Sequence, residues 1–417
     1  SFVENPPVGS DGNIVMVGTI RGLVTFSDGS TLDTESPTDF KTIVIKLDSS
    51  DGSIIWKRLI ETSRLSGFNL ALDSNDDIII TSIYSNPSDL LTSDQYFFKV
   101  SYVDGSIIVD EKILTNVNSS DALLDMYELI IDNNDNIIIT GGYYGLLDAD
   151  LSSGVTSIGS TSGNMPQTYM IKYNSNFELV WSMTFNSTTP TVGYSLAYDS
   201  INDLIYFSGA AYDVDMNPLG EPVNLDYNDT GGWFVASYNS DGIYQDAHLF
   251  AGESGGNAIE NTLRIQDDKL IVFGEYRNIP DLDITSETFL PSEGSSSYNN
   301  HYVSIYDLSE GATLTGQYFL EENGSIPKEI FLNGNNLILS VTGEREVELY
   351  DYNHNPLVTV SNLTWENDSS SYGGGGLISF NIEFEDFSQN TPPTTTSEVV
   401  TSFSEVTTNI TLNAVDQ

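Results

Sequence analysis

The sequence has no cysteine in its 417 residues. That excludes a disulfide framework, thiol catalysis and cysteine-ligated metal sites. Basic residues are scarce: 14 Lys+Arg stand against 60 Asp+Glu, a formal net charge of −46. A surface of that sign repels the phosphates of naked nucleic acid and the anionic headgroups of a membrane, and it favours solubility and bound cations. No apolar run approaches the ~18 residues of a membrane-spanning helix, and no stretch shows a convincing helical period. Histidine occurs at His248, His301 and His354 only, at non-equivalent places in the repeat described below. A His-based metal site or a Ser-His-Asp triad is therefore unsupported. No glycine-rich phosphate loop occurs, and no organic cofactor is expected. The run Gly373–Gly376 reads as flexible linker. The chain begins at Ser1 with no charged-then-apolar leader, which reads as a processed or trimmed product.

Charged residues make up only 18% of the chain and aromatics 11%, so a core of Ile, Leu, Val, Phe and Tyr can be buried. The dominant pattern is a repeat. An apolar strand ends in Asp, a polar turn follows, and a β-branched strand ends in small residues. It is clearest at Leu70–Ser82, Leu129–Gly142 and Leu196–Gly209, weaker at Leu263–Gly274 and Ile330–Gly343, and partial at Val8–Gly18. The second strands start near Asn13, Asp77, Asn136, Leu204, Lys269 and Asn336. A β-unit recurring at such a long and nearly constant period marks a propeller or a solenoid.

After each second strand comes an excursion and then a third strand: Thr42–Leu47, Tyr96–Ser101, Tyr169–Tyr173, Trp233–Tyr238, Tyr302–Tyr306 and Leu377–Ile382. Tight turns such as Asp51-Gly52, Asp104-Gly105 and Asp241-Gly242 lead to a fourth strand at Ile54–Ile60, Ile107–Ile113, Glu178–Phe185, Ile243–Phe250 and Thr313–Leu320. Four antiparallel strands, A to D, make one propeller blade. The expected fold is an all-β, six-bladed β-propeller, with seven blades as the alternative, carrying long B–C excursions. The first blade lacks its A strand and the sixth its D strand. The expected organisation is a propeller over residues 1–388, a Pro/Thr linker over 389–397 and a strand-forming C-terminal tail over 398–417. The β-branched stretch Glu398–Leu412 either closes this chain's own ring or adds to a neighbour's sheet.

The A–B pattern, a C strand of the form F-V-x-K-x-D and a D strand bearing Trp together resemble the SBBP-type β-propeller repeats, and more distantly NHL-type blades. Ile130–Gly142, Tyr169–Tyr173 and Leu179–Trp181 carry the resemblance best, followed by Gly12–Gly18, Ile43–Asp48 and Ile54–Trp56. It covers about residues 8–385. The resemblance implies an extracellular or envelope protein that binds partners. A fold of this kind hosts enzymes and scaffolds alike.

Three groups of residues are candidates for chemistry. Arg21, Arg277 and Arg345 follow their B-strand starts at nearly the same offset (21−13, 277−269, 345−336). Guanidinium forks at matching places could hold carboxylates or sulfates of an acidic glycan. The alternative is local pairing, with Glu275 and Glu344 adjacent. An arginine triad on a six-bladed propeller is similar to the sialidases. The turn Asp48–Trp56 departs from their Asp-box spacing, however, and no Tyr–Glu nucleophile pair is assignable. The excursion pairs Asp148/Asp150, Asp213/Asp215 and Asp281/Asp283 offer oxygen ligands suited to Ca²⁺; solvated acidic loops are the alternative. Seven N-x-S/T sequons, at Asn118, Asn186, Asn228, Asn323, Asn362, Asn367 and Asn409, are candidate glycosylation sites. Trp56, Trp181 and Trp233 fall in strands and are expected in the core. Trp365 lies in an excursion and is the candidate for stacking on sugar. The turn residues Asp73–Asp77, Asp132–Asn136 and Asp199–Asp203 are expected to be structural.

These readings point to a non-catalytic, extracellular cell-surface protein with a structural or adhesive role. It would self-associate, or bind other surface proteins or glycans, and could assemble into a filament or lattice through its C-terminal strand. The alternatives are a propeller recognising an acidic glycan at the arginines and, beyond it, a glycan-active enzyme.

Overall fold

The structure is a computed structural model. It describes residues 7–26, 28–34, 40–63, 65–85, 93–116, 124–159, 166–185, 187, 190–211, 213–226, 232–250, 252–266, 268–280, 284, 300–309, 312–322, 326–333, 336–342, 347–351, 356–360 and 375–381. Every regular element among them is a β-strand. The first repeat holds β1 (Ile14–Arg21), the short hairpin β2 (Leu23–Thr25) and β3 (Thr31–Asp33), then β4 (Phe40–Leu47) and β5 (Ile54–Ser63). The second holds β6 (Leu65–Leu72), β7 (Ile78–Ser85), β8 (Ser93–Val100) and β9 (Ile107–Asn116). The third holds β10 (Leu124–Ile131), β11 (Ile137–Tyr143), β12 (Leu146–Asp148), β13 (Ser157–Gly159), β14 (Gln167–Tyr173) and β15 (Leu179–Phe185). The fourth holds β16 (Val192–Asp199), β17 (Leu204–Ala211), β18 (Asp213–Asp215), β19 (Asn224–Asp226), β20 (Gly232–Asn239) and β21 (Tyr244–Phe250). The fifth holds β22 (Gly252–Gln266), β23 (Lys269–Pro280), β24 (Asn300–Asp307) and β25 (Thr313–Glu322). The sixth holds β26 (Ile326–Asn333), β27 (Asn336–Thr342), β28 (Val347–Asp351), β29 (Pro356–Val360) and β30 (Gly375–Asn381).

The pairing follows the repeat. The sheets run β1-β4-β5, β6-β7-β8-β9, β10-β11-β14-β15, β16-β17-β20-β21, β22-β23-β24-β25 and β26-β27-β30. Four antiparallel strands in an A-B-C-D meander recur. The described first sheet has B, C and D, and the described sixth has A, B and C, as the sequence pattern implies. One expectation is corrected: Gly375 and Gly376 are not linker but the first residues of β30, paired with Thr342 and Val341. The seven sequons, Trp365, Arg345, Asp281, Asp283 and residues 389–417 lie outside the described residues.

The chain divides into two compact units between Gly193 and Tyr194. Within the first unit, neighbouring sheets pack face to face. Val15, Val17 and Val44 of the first sheet meet Ile78, Ile80 and Phe98 of the second. Ile79, Phe97 and Leu114 of the second meet Leu129, Ile139 and Tyr169 of the third. The second sheet is thereby covered on both faces, and in the third every residue of β11 and β14 is buried. β11 accordingly opens on an unbroken apolar run, Ile137–Ile139, instead of an alternating one. In the second unit, Tyr206, Trp233 and Phe250 of the fourth sheet pack on Leu263, Val272 and Tyr302 of the fifth. Each such side chain contributes about 1.5–3 kcal/mol on burial.

The turns explain the repeated acids. Asp76, Asp135 and Asp203 have φ of 62°, 59° and 55°, and Gly12 occupies the matching place at 80°. Asp is one of the few residues other than Gly that enters this left-handed region readily. Gly9 stands where the other turns carry Asp73 or Asp132, for a steric reason. A Cβ there would overlap the Tyr102 hydroxyl and lie 2.7 Å from the ring carbon Cε2. Gly9→Ala is expected to cost about 1–3 kcal/mol through overpacking, measured as a lowered midpoint of urea unfolding. An unchanged midpoint would mean that the Tyr102 ring can move aside.

Candidate functional site

The recurring charged side chains form a ladder along the A–B turns. Asp73 Oδ1 accepts from the backbone N–H of Asn75 and Asp77, each at 2.9 Å. Asp132 Oδ1 accepts from Asn134 at 2.8 Å and Asn136 at 2.9 Å. A lysine near the end of strand C reaches the other oxygen. Lys99 Nζ lies 2.6 Å from Asp73 Oδ2, and Lys172 Nζ 2.6 Å from Asp132 Oδ2. In the first sheet Gly9 leaves no carboxylate at that place, and Lys46 pairs with Asp11 instead, at 2.9 Å. Lys46 Nζ also lies 3.4 Å above the Tyr102 ring, and the Tyr102 hydroxyl donates to Asp11.

Burial pushes the Asp132 carboxyl up, but the hydrogen bonds from Lys172, Asn136 and Asn134 together outweigh it, and its pKa falls below the usual carboxylate value. Bonds from Tyr102 and Lys46 hold Asp11 well below that value. In the second unit, bonds from Lys269 and Ser309 lower Asp307 to about 2.

Successive turns are also tied to each other. The Asp76 carboxylate accepts from the backbone N–H of Ser10 at 3.0 Å and from its hydroxyl. Asp135 accepts from Ser74 in the same way, at 2.8 and 2.7 Å. Asp76 and Asp135 therefore each do two things, making their own turn and accepting the preceding one, whereas Asp203 accepts from the Tyr198 and Ser240 hydroxyls, each at 2.6 Å.

Two of the excursions extend a neighbouring sheet, while the hairpins β2-β3 and β18-β19 form two-stranded sheets of their own. In the third repeat, β12 pairs antiparallel with β9 of the second, Leu147 opposite Asn116, so the excursion hairpin extends the preceding sheet. In the sixth, β28 pairs with β25 and extends the fifth sheet. The predicted Ca²⁺ ligands Asp148 and Asp215 occupy equivalent capping positions. Asp148 Oδ1 accepts from the N–H of Asp150 at 3.1 Å and Thr156 at 2.8 Å. Asp215 Oδ1 accepts from Asn217 at 2.9 Å and Val223 at 2.8 Å. Asp148 thus corresponds to Asp215, and not to Asp213 as the order of the two acid pairs suggests. Asp150 caps Ser152 at 2.8 Å, and Asp213 is exposed on β18. Among the described residues, no three His, Cys, Asp or Glu side chains come together to hold a metal.

Buried tyrosines at the end of strand C clamp these hairpins. The Tyr173 hydroxyl donates to Ala149 O at 3.0 Å, and Tyr238 to Met216 O at 2.7 Å. Burial raises both hydroxyls well above the ordinary tyrosine value. Tyr173→Phe is expected to cost about 1–3 kcal/mol, since it leaves the Ala149 carbonyl without this donor. Amide exchange over Leu146–Gly159 should accelerate more than that of β11. Equal effects on both would mean that the hydroxyl does not hold the hairpin.

Of the predicted arginine group, Arg21 and Arg277 occupy matching places. Ile14 and Leu270 face Leu47 and Tyr306, which follow the same bulge in their C strands, and each arginine lies at the same offset from them (21−14, 277−270). Arg21 is exposed at the end of β1. Glu275, the sequence candidate for pairing with Arg277, has its Oε1 3.3 Å from His301 Nε2. The two residues are directly opposite on β23 and β24. Trp56 packs against the core between the first two sheets and donates Nε1–H to Tyr102 O at 3.0 Å. Trp233 lies 4.8 Å from Tyr194, ring to ring.

The sequence reading missed the C-strand lysines and the clamping tyrosines. Their signal was present in Lys46, Lys99 and Lys172, each one residue before the end of its strand.

No family model matches the chain, and no curated protein matches it significantly. Solved structures with similarity include the Dos1 propeller, 14% identical with a TM-score of 0.37, covering 81% of this chain and 70% of that one. The β-propeller domain of the Trilobed protease from Pyrococcus furiosus is 9% identical with a TM-score of 0.41, covering 96% and 98%. The acylaminoacyl peptidase of Pyrococcus horikoshii is 10% identical with a TM-score of 0.40, covering 91% and 48%. Likeness at this level carries no argument about activity.

Proposed function

We propose that this chain is a non-catalytic scaffold of the extracellular surface, its repeated sheets arranged as propeller blades. One observation carries the reading: the polar side chains that recur from repeat to repeat are engaged in holding the fold. The repeated Asp, Lys, Ser and Tyr groups cap turns, pair across strands and tie one turn or hairpin to the next. Such a repeat supplies stiffness and area, and its acidic surface suits cation-bridged contacts between copies, Ca²⁺ being the fitting ion. Electron microscopy of the native protein with and without chelator tests this. Ordered filaments or sheets that disperse in chelator are expected. Single dispersed particles under both conditions would overturn the assembly role.

A second reading has one supporting observation, the matching register of Arg21 and Arg277. It makes these arginines contacts for an acidic glycan. Binding of a sulfated or sialylated glycan that weakens tenfold or more in Arg277→Ala would support it. Unchanged binding would remove it.

A further inference from the structure

Two of the A–B turns carry a side-chain amide that donates to the capping acid. In the third repeat Asn136 Nδ2 reaches both oxygens of Asp132, at 3.0 and 2.8 Å. In the fourth, Asn202 Nδ2 donates to Asp199 Oδ2 at 2.7 Å. The second repeat has a carboxyl in that place. Asp77 follows Asp73 at the offset that separates Asn136 from Asp132 (77−73, 136−132). Its backbone N–H bonds Asp73 Oδ1 at 2.9 Å, as that of Asn136 bonds Asp132 Oδ1 at 2.9 Å. The turns match, but an ionised Asp77 has no hydrogen to give.

Asp73 and Asp77 share one ammonium instead. Lys99 Nζ lies 2.6 Å from Asp73 Oδ2 and 3.9 Å from Asp77 Oδ2, and the side chains of Lys99, Asp73 and Asp77 are 13%, 2% and 21% exposed. The other charges around Asp77 are acids or are paired. Asp76 adjoins it on the turn and accepts from Ser10 of the first repeat. Asp135 of the third repeat accepts from Ser74 at the other end of the turn. Asp11 and Lys46 of the first repeat pair with each other beside Tyr102. Burial, and after it the Asp73 charge, raises the Asp77 carboxyl above its ordinary value, against the pull of Lys99 and of the Tyr102 backbone N–H.

We infer that Asp77 is a proton-operated fastener: as pH falls it takes up a proton and donates it to Asp73, the part that Asn136 plays permanently in the third repeat. Protonation frees Lys99 to serve Asp73 alone and removes a charge from a site with one cation for two anions. The turn it firms lies between the Ser10–Asp76 and Ser74–Asp135 links, so the state of Asp77 sets how tightly three successive turns of the first unit are held. The sign follows from the raised folded-state value. The folded chain binds this proton more tightly than the unfolded one, so the gain is complete below the unfolded value of about 4 and is lost as pH rises through the folded one. This is opposite to the Asp132 contribution. The device goes beyond the scaffold role and does not depend on it.

Asp77→Asn installs the amide of the third repeat in the full-length protein. At about pH 7 its unfolding constant in urea is expected to be roughly threefold or more below that of the parent, and the gap should shrink to about half or less by about pH 4. Equal stability at about pH 7, or a gap of the same size at both pH values, would overturn the assignment. The parent gives a second readout that needs no variant. The Asp77 carboxyl carbon, followed by NMR, should titrate above about 4, and titration at or below that value would overturn it. Amide exchange tests the fastening itself. Protection of the Ser74 N–H, corrected for the intrinsic rate, should rise between about pH 7 and about pH 5 in the parent and stay constant in Asp77→Asn. The same trend in both proteins would show that Asp77 does not control the turn.

Discussion

Lys172→Met is expected to destabilise the protein by about 3–5 kcal/mol, because it leaves one member of a buried ion pair without the other. The Lys172 side chain is 5% exposed and that of Asp132 0%, with 2.6 Å between their charged atoms. Water cannot replace the ammonium at that depth. Asp132 would keep its bonds from Asn134 and Asn136, which places the loss nearer the lower figure. The double variant Lys172→Met/Asp132→Asn removes both charges and should recover part of the loss. Urea unfolding of the three proteins checks this. A single variant as stable as the parent would show that the pair is not isolated from solvent.

The same pair sets a direction with pH. The folded-state pKa of Asp132 lies below the ordinary carboxylate value, so its contribution is complete above the unfolded pKa of about 4. It is lost as pH falls through the lower folded value. Removing Lys172 takes away one of the bonds that lower it. Acid unfolding of Lys172→Met should therefore begin at a higher pH than in the parent, as followed by tyrosine fluorescence. A midpoint that stays in place would mean that other carboxylates control the acid transition.

Phe177 carries the second large effect, and its sign pattern is diagnostic. The turns between strands C and D use Gly52, Gly105 and Gly242 at φ of 70°, 71° and 80°. The third repeat puts Phe177 there, at 63°. Its ring is 3% exposed and sits edge-on to Phe97, 6.2 Å between centroids. A backbone cost of about 1–2 kcal/mol is thus offset by a large buried ring. Phe177→Ala should lose about 3–5 kcal/mol and keep the strained φ. Phe177→Gly loses the same ring but relieves the strain, so it should be the milder change by about 1 kcal/mol. Elsewhere glycine is usually worse than alanine. Thermal unfolding of the two variants decides it, and alanine proving the milder change would contradict a left-handed Phe177.

The Asp–turn–β-branched pattern located the A and B strands, and the Asp-Gly turns located most of the D strands, because both signals are local. Strand order within each sheet followed from short connections. The ion-pair ladder was legible only in part. Lys99 and Lys172 recur near the ends of their strands, but nothing local shows that they reach back past a whole B strand and excursion to Asp73 and Asp132. The Asp pairs of the excursions look like cation ligands in sequence because acid spacing is the same for a capped hairpin and an oxygen cage. Backbone donors of Thr156 and Val223, on the far side of the hairpin, reach Oδ1 of Asp148 and Asp215, contacts that acid spacing alone does not show.

The sequence by itself determined the strand type, the repeat and the turn chemistry, since two-residue periodicity and left-handed turn residues act over a few positions. Only the tertiary structure decided which excursion strand extends which sheet and why the first turn carries Gly9. It also decided that Phe177 occupies a glycine's conformation. Each of these depends on a neighbour distant in the chain: β9 for β12, Tyr102 for Gly9, Phe97 for Phe177. Close packing makes such contacts specific, and no local pattern encodes them.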